Sequence, residues 1–175
     1  MHQTSETIVL WENSFSLYDL KNVRDRLTDA IAKAKNEWIT LEINSTGGDC
    51  DSGYALYDWI LSRSKFQLQT VGFGQISSMA VILFLAGDYR VIGRNTIIYL
   101  HEPSREYRTG VSQNVTQMQR GTEYLSRYHE LYIQLVLSRT ECKVPKDLLR
   151  EWIRDEHIVT PQEAVQYGFA HEIVP

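Results

Sequence analysis

The sequence predicts an α/β fold with a largely parallel sheet built from successive βαβ units. Two observations carry this reading. Short β-prone runs alternate with stretches of helical periodicity, and the polar or glycine-rich turns fall where strands give way to helices. In such sheets functional residues collect at the carboxyl ends of strands.

Thr7 to Trp11 is the first β-prone run. Leu20, Val23, Leu27, Ile31 and Ala34 then recur at steps of three and four, which predicts an amphipathic helix. Trp38 to Ile43 alternates, with Ile39, Leu41 and Ile43 on one face, and reads as a strand ending in the turn Asn44-Ser45-Thr46-Gly47-Gly48. A helix is expected across Gly53 to Arg63 and a strand from Phe66 to Phe73, followed by the turn Gly74 to Ser78. Met79 to Ala86 is apolar on every side, as a fully buried helix would be, with Gly87 at its C-terminal cap. Thr96 to Leu100 is a further β-prone run that ends at His101.

From Val111 to Ser138 the residues Val115, Met118, Thr122, Leu125, Tyr128, Tyr132 and Leu135 keep helical spacing, predicting one long helix at about residues 111–138 that projects from the core. Thr160-Pro161-Gln162-Glu163 has the form of a capping box with proline at the first helical position, and Gly168 closes the short helix it starts. Phe169 to Val174 supplies a last strand.

The 175 residues suit a single domain spanning 1–175, and no linker, repeat or low-complexity tract divides them. A hydrophobic share of 43% with 23% charged residues is that of a globular chain. A net charge of −4 and the lack of a basic run give no support for nucleic-acid binding. The N-terminus lacks the pattern of a signal peptide, and the longest apolar run is too short for a bilayer, so no membrane association and a cytoplasmic location are expected. Cys50 and Cys142 have no metal or redox spacing. No phosphate-binding glycine motif or metal motif occurs, so no cofactor is expected. Asp49 and Asp51 fail the spacing of a calcium loop and read as solvated loop residues.

Three features share the strand-end placement: Gly47-Gly48, Ser78 and His101. A serine between a strand and an apolar helix projects beside free N–H groups and the positive end of the helix dipole. It is a nucleophile only if a base removes its proton and donors stabilise the oxyanion; otherwise serine is simply a favoured helix cap. An imidazole can accept a serine proton and return it to a leaving amine, which is the role open to His101, whereas the same residue alone would be a solvated strand end. Gly47-Gly48 is either a tight turn or a backbone brought close to a substrate.

Together these segments resemble the Clp protease proteolytic subunit from about Thr7 onward. The matching strings are Ile43-Asn44-Ser45-Thr46-Gly47-Gly48, Gly74-Gln75-Ile76-Ser77-Ser78-Met79, His101-Glu102-Pro103 and Glu163-Ala164-Val165-Gln166-Tyr167-Gly168, in family order and at family-like spacing. Gly53 and Tyr57-Asp58 also fall where the family has a glycine and a tyrosine-aspartate pair. The resemblance implies the ClpP/crotonase-like fold with a projecting handle helix. It implies a serine endopeptidase with Ser78 as nucleophile, His101 as general base, and the N–H groups of Gly47 and Met79 as oxyanion hole. Substrate would lie extended between Gly48, Asp49 and Cys50 on one side and the segment from Ser104 and Arg105 to Tyr107 on the other. For the acid, counting back from Glu163 without a gap lands on Glu156, while Asp155 keeps the family's residue type one position earlier.

The family assembles as a homo-oligomer, and a heptameric ring follows as an expectation, with ring stacking through the handle. The family's N-terminal axial stretch has no counterpart before Thr7, which leaves docking of an AAA+ unfoldase open, and Ser104-Arg105-Glu106-Tyr107 replaces the glycine pair common after H-x-P. A peptide or unfolded protein is the implied substrate. Two alternatives stand beside this reading. One is a catalytically weak scaffold subunit, prompted by the unsettled acid. The other is a crotonase-type acyl-CoA enzyme, which would need no serine with a spaced H-x-P.

Overall fold

Burial along the strands decides how the sheet is covered. In the computed structural model, which describes residues 2, 4–34, 38–63, 66–104 and 112–175, strand β1 (Thr4–Glu12) buries Ile8 and Leu10 and turns Val9 and Trp11 outward. That alternation belongs to an edge strand with one solvated face. In β3 (Gln67–Ser77), by contrast, Leu68 to Gly72 are all buried, as expected of a central strand covered on both sides. Its buried polar groups find partners: Gln69 donates to Thr40 at 3.1 Å, and Thr70 donates to the Phe84 carbonyl at 2.7 Å.

The chain runs through α1 (Leu17–Lys33), β2 (Trp38–Ser45), α2 (Cys50–Leu61), β3, α3 (Met79–Leu85), β4 (Tyr89–Gly93) and β5 (Ile97–Tyr99). It continues with α4 (Val115–Arg139), α5 (Lys146–Arg154), β6 (Ile158–Val159), α6 (Pro161–Gln166) and β7 (Glu172–Val174). Strands β1-β2-β3-β4-β7 lie side by side and parallel, β5 pairs with the end of β3, and β6 runs antiparallel to β5. This is the α/β architecture with repeated βαβ units that the sequence predicts.

Strand β3 extends beyond the expected Phe73. It pairs with β4 from Gln69 to Gly72 and with β5 from Gln75 to Ser77, bending between them at Gly74, whose φ is +63°. A side chain there would meet Asn44 Oδ1 at 2.9 Å, the atom that accepts the Gln75 N–H. The turn foreseen before Ser78 is thus a bend within one strand that changes its neighbour. Every residue of α3 is buried, and the helix is capped by Ala86 rather than Gly87. Helix α2 starts three residues earlier than expected because Asp49 caps it, accepting the Ser52 N–H at 2.8 Å.

Helix α4 begins at Val115, four residues after the expected start, where Asn114 and Gln117 form a capping box. Val111 lies outside the described residues. The helix's C-terminal half packs through Tyr132, Ile133 and Val136, while Val115 and Met118 near its start are 70% and 54% exposed. It projects as a handle. The capping box at Thr160 is present, and Gly168 follows α6 with φ +78°.

Strand β4, unassigned by the sequence reading, carries Arg90 into the interior. Its guanidinium donates to the carbonyls of Phe169, Gly87, Arg139 and Gly168 at 2.8 to 3.2 Å. Burial lowers its pKa to about 10, which leaves it charged at neutral pH. Arg90→Leu removes the donor from three carbonyls that Arg139 does not also serve, and should lower the unfolding free energy by about 3 kcal/mol or more in denaturant titrations.

Candidate active site

The carboxyl ends of β2, β3 and β5 meet at one place. Ser78 follows β3 directly with φ +55° and ψ −127°, a backbone that L-residues seldom adopt. Two contacts hold it there. The Ser78 N–H donates to the Tyr99 carbonyl at the end of β5 at 3.2 Å, and Gly47 beyond β2 packs against the serine itself. A Cβ on Gly47, whose φ is +105°, would stand 2.7 Å from Ser78 Cβ and 3.1 Å from Met79 N.

Although Ser78 occupies the N-cap of α3, its side chain makes no capping hydrogen bond. The hydroxyl is therefore not consumed by the role that most often explains a serine in this position. Ser77, one residue earlier, faces the Tyr99 carbonyl at 3.4 Å and is buried. Met79 is the first residue of α3, where an amide has no intrahelical acceptor.

The two glycines of the β2 turn differ. Gly47 N–H donates to Ser45 Oγ at 3.1 Å, and the Gly47 carbonyl accepts from Phe15 N–H at 2.8 Å. Gly48, with φ +155°, lies against Phe15 and has no acceptor for its N–H among the described residues. A cavity of about 690 Å³ opens here, lined by Gly48, Asp49, Cys50, Pro103 and Ser104 together with Tyr124 and Tyr128 of the handle. Four of the five expected substrate-binding residues thus border one cleft, and Arg105 lies outside the described residues.

His101 is partly buried just beyond β5. Its Nδ1 lies 2.8 Å from the Glu102 carbonyl oxygen, which can only accept, so the proton sits on Nδ1 and Nε2 is left as the basic nitrogen. The two carboxylates behave differently. Asp155 is exposed and paired side-on with Arg154 at 2.7 and 2.9 Å, an ion pair that lowers its pKa. Glu156, at φ +55°, accepts from the Tyr99 hydroxyl at 2.7 Å, and the Tyr99 ring stacks on His101 with centroids 5.6 Å apart. That hydrogen bond raises the Tyr99 pKa and keeps the phenol a donor. Among the described residues neither carboxylate hydrogen-bonds to His101.

Comparison with known proteins gives the family and the fold. The family model described as Clp protease matches residues 4–175. The chain belongs to the Clp protease family. It is 32% identical over 139 residues to the ATP-dependent Clp protease proteolytic subunit 1 of Thermobifida fusca, a match covering 78% of this chain and 60% of that protein. It is 33% identical over 139 residues to proteolytic subunit 2 of Tropheryma whipplei, covering 78% of this chain and 73% of the relative. The chain thus spans less than two thirds of the Thermobifida subunit's length. In fold it resembles a ClpP1 point mutant from Listeria monocytogenes, with a TM-score of 0.82 at 21% identity over 96% of this chain and 90% of that one.

Three features around the candidate site were not singled out in the sequence. Phe15 and Ser16, from the loop after β1, help line it. Asp51 accepts hydrogen bonds from Tyr124 at 3.2 Å and from Tyr128, tying α2 to the handle. Tyr99 was legible in principle, because strand alternation puts residues 99 and 101 on the same side. No group of three or more potential metal ligands occurs among the described residues, and none of their helices is long and apolar enough to cross a membrane.

Gly47→Ala introduces a side chain where Ser78 stands, at a backbone angle that disfavours it. Chemical denaturation should register a loss of about 2 kcal/mol.

Proposed function

We propose that the chain is a serine endopeptidase subunit hydrolysing peptide bonds of short or unfolded polypeptides. The observation that carries this is Ser78: a serine held at φ +55° directly after β3, its hydroxyl unused as a cap, on a backbone tied to the strand that delivers His101. Family membership supports the class of chemistry.

In this mechanism Ser78 Oγ attacks the scissile carbonyl carbon while His101 Nε2 takes the hydroxyl proton. The carbonyl oxygen becomes an oxyanion beside the start of α3, where Met79 N–H donates to it. The second donor expected from the resemblance was Gly47. Its N–H is occupied by Ser45, so the unoccupied Gly48 N–H, one residue on, is the better-supported partner. Collapse of the tetrahedral intermediate breaks the C–N bond. His101 passes its proton to the leaving amine, and water then repeats the sequence on the acyl-serine. A substrate strand would lie between Gly48–Cys50 and Pro103–Ser104, which line the same cavity.

Of the two acids, Glu156 is the better supported. Asp155 is engaged by Arg154, whereas Glu156 is bound to the residue that stacks on His101. The assembly we propose is a homo-oligomeric ring, heptameric in keeping with the family, lying in the cytoplasm, with the exposed first half of α4 available to a second ring. Docking of an ATP-driven unfoldase is a further part of the family's pattern. A second reading, a catalytically weak scaffold subunit, draws on one observation: His101 is hydrogen-bonded to the Glu102 carbonyl rather than to a carboxylate.

A fluorophosphonate probe should label Ser78 in the assembled protein, and Ser78→Ala or His101→Ala should lower peptide hydrolysis by about a thousandfold or more. Labelling that survives Ser78→Ala overturns the assignment, and an unreactive wild type favours the scaffold. Of Glu156→Gln and Asp155→Asn, the first should show the large loss in kcat and the second a small one.

A further inference from the structure

One residue touches every member of the proposed catalytic group, and no comparison or motif assigns it a role. The backbone carbonyl of Tyr99 accepts the Ser78 N–H at 3.2 Å and lies 3.4 Å from Ser77 Oγ. The Tyr99 ring stacks on His101 at 5.6 Å with the planes 29° apart. Its hydroxyl donates to Glu156 Oε2 at 2.7 Å. The serine turn, the imidazole and the carboxylate come from separate parts of the chain, and Tyr99 joins them.

We propose that Tyr99 is a positioning residue whose phenol holds the Glu156 carboxylate beside His101; this rests on the peptidase reading above. Glu156 needs such a support. It sits in the left-handed region at φ +55°, in the short turn between α5 and β6, and its side chain is exposed. A glutamate so placed loses side-chain entropy on being fixed, and water competes for its charge. A phenol is a suitable anchor because it donates one hydrogen bond to one oxygen. Oε1 is left to accept from Nδ1–H once substrate turns the imidazole away from the Glu102 carbonyl.

The geometry also explains why the extra methylene of glutamate is tolerated where the family has aspartate. The turn between α5 and β6 is fixed on its far side by β6 pairing with β5 through Ile158 and Tyr99. The carboxylate reaches the strand end from that turn, and the phenol stops it there. Asp155, one residue back, is turned to Arg154 and makes no such contact. Tyr99 acts through Glu156 and touches no reacting atom.

The test is a double-mutant cycle on peptide hydrolysis and on the rate of fluorophosphonate labelling at Ser78, using the full assembled protein. Tyr99→Phe keeps the ring stack and the backbone carbonyl and removes only the hydroxyl. It should lower kcat by about tenfold, the equivalent of one charge-assisted hydrogen bond, with KM, native mass and thermal midpoint unchanged. In a Glu156→Gln background the same change should cost less than about twofold, because the pair acts as a unit. Tyr99→Leu, which also loses the stack, separates the ring's contribution from the hydroxyl's. The proposal is overturned if Tyr99→Phe matches wild type, or if its effect multiplies in full on top of Glu156→Gln. A wild type that never labels at Ser78 removes the peptidase reading and this proposal with it. A wild type that labels beside an unaffected Tyr99→Phe removes this proposal alone.

Discussion

The structure turns on a backbone conformation that one serine would not choose by itself. Ser78 is held at φ +55° and ψ −127° between the end of β3 and the start of α3. Such a conformation costs on the order of 1–3 kcal/mol and persists only where the surroundings determine it. Here they do so from three sides. Gly47 leaves just enough room, the Tyr99 carbonyl binds the serine amide, and α3 below is buried at every residue. The strain and the absence of a capping bond to Oγ have one cause. A relaxed helix cap would turn the hydroxyl back onto the first-turn amides, and those amides would then be lost to a substrate oxyanion.

The fold's polar interior protects that arrangement from behind. Arg90 and Arg139 together bind carbonyls of Leu85, Gly87, Gly168 and Phe169, so the end of α3, the end of the handle and the segment before β7 are joined by charged donors. Burying a cation is costly unless it is well hydrogen-bonded, and Arg90 is bonded to four backbone carbonyls with fixed directions. The helix that Ser78 begins is anchored by guanidinium groups at its other end. The handle leaves the same junction at Arg139, which links the seat of the site to the element that projects from it.

Much of this was legible in the sequence, and the exceptions have physical reasons. The buried helix α3, the amphipathic α1 and the capping box at Thr160 are local patterns, and each is present. Strand β4 was not legible. An arginine sits in its middle, and only tertiary carbonyls make that charge acceptable in the interior. The bend at Gly74 was read as a turn because sequence does not reveal that one strand exchanges neighbours. Ser78, His101 and the glycine turn stood out through motif and spacing. The acid did not, since Glu156 and Asp155 differ only in which side chains meet them: Tyr99 for one, Arg154 for the other. The start of the handle was misplaced because the cap, Asn114 with Gln117, lies inside a run whose apolar spacing already looks helical.

The central claim is that Ser78 Oγ faces a carbonyl held against the first amide of α3. A crystal structure of the protein after reaction with a peptidyl phosphonate tests it most directly. A covalent Oγ–P bond at Ser78 is expected, with the phosphonyl oxygen within hydrogen-bond distance of the Met79 and Gly48 N–H groups. An adduct at any other residue, or a phosphonyl oxygen turned away from the start of α3, would contradict it.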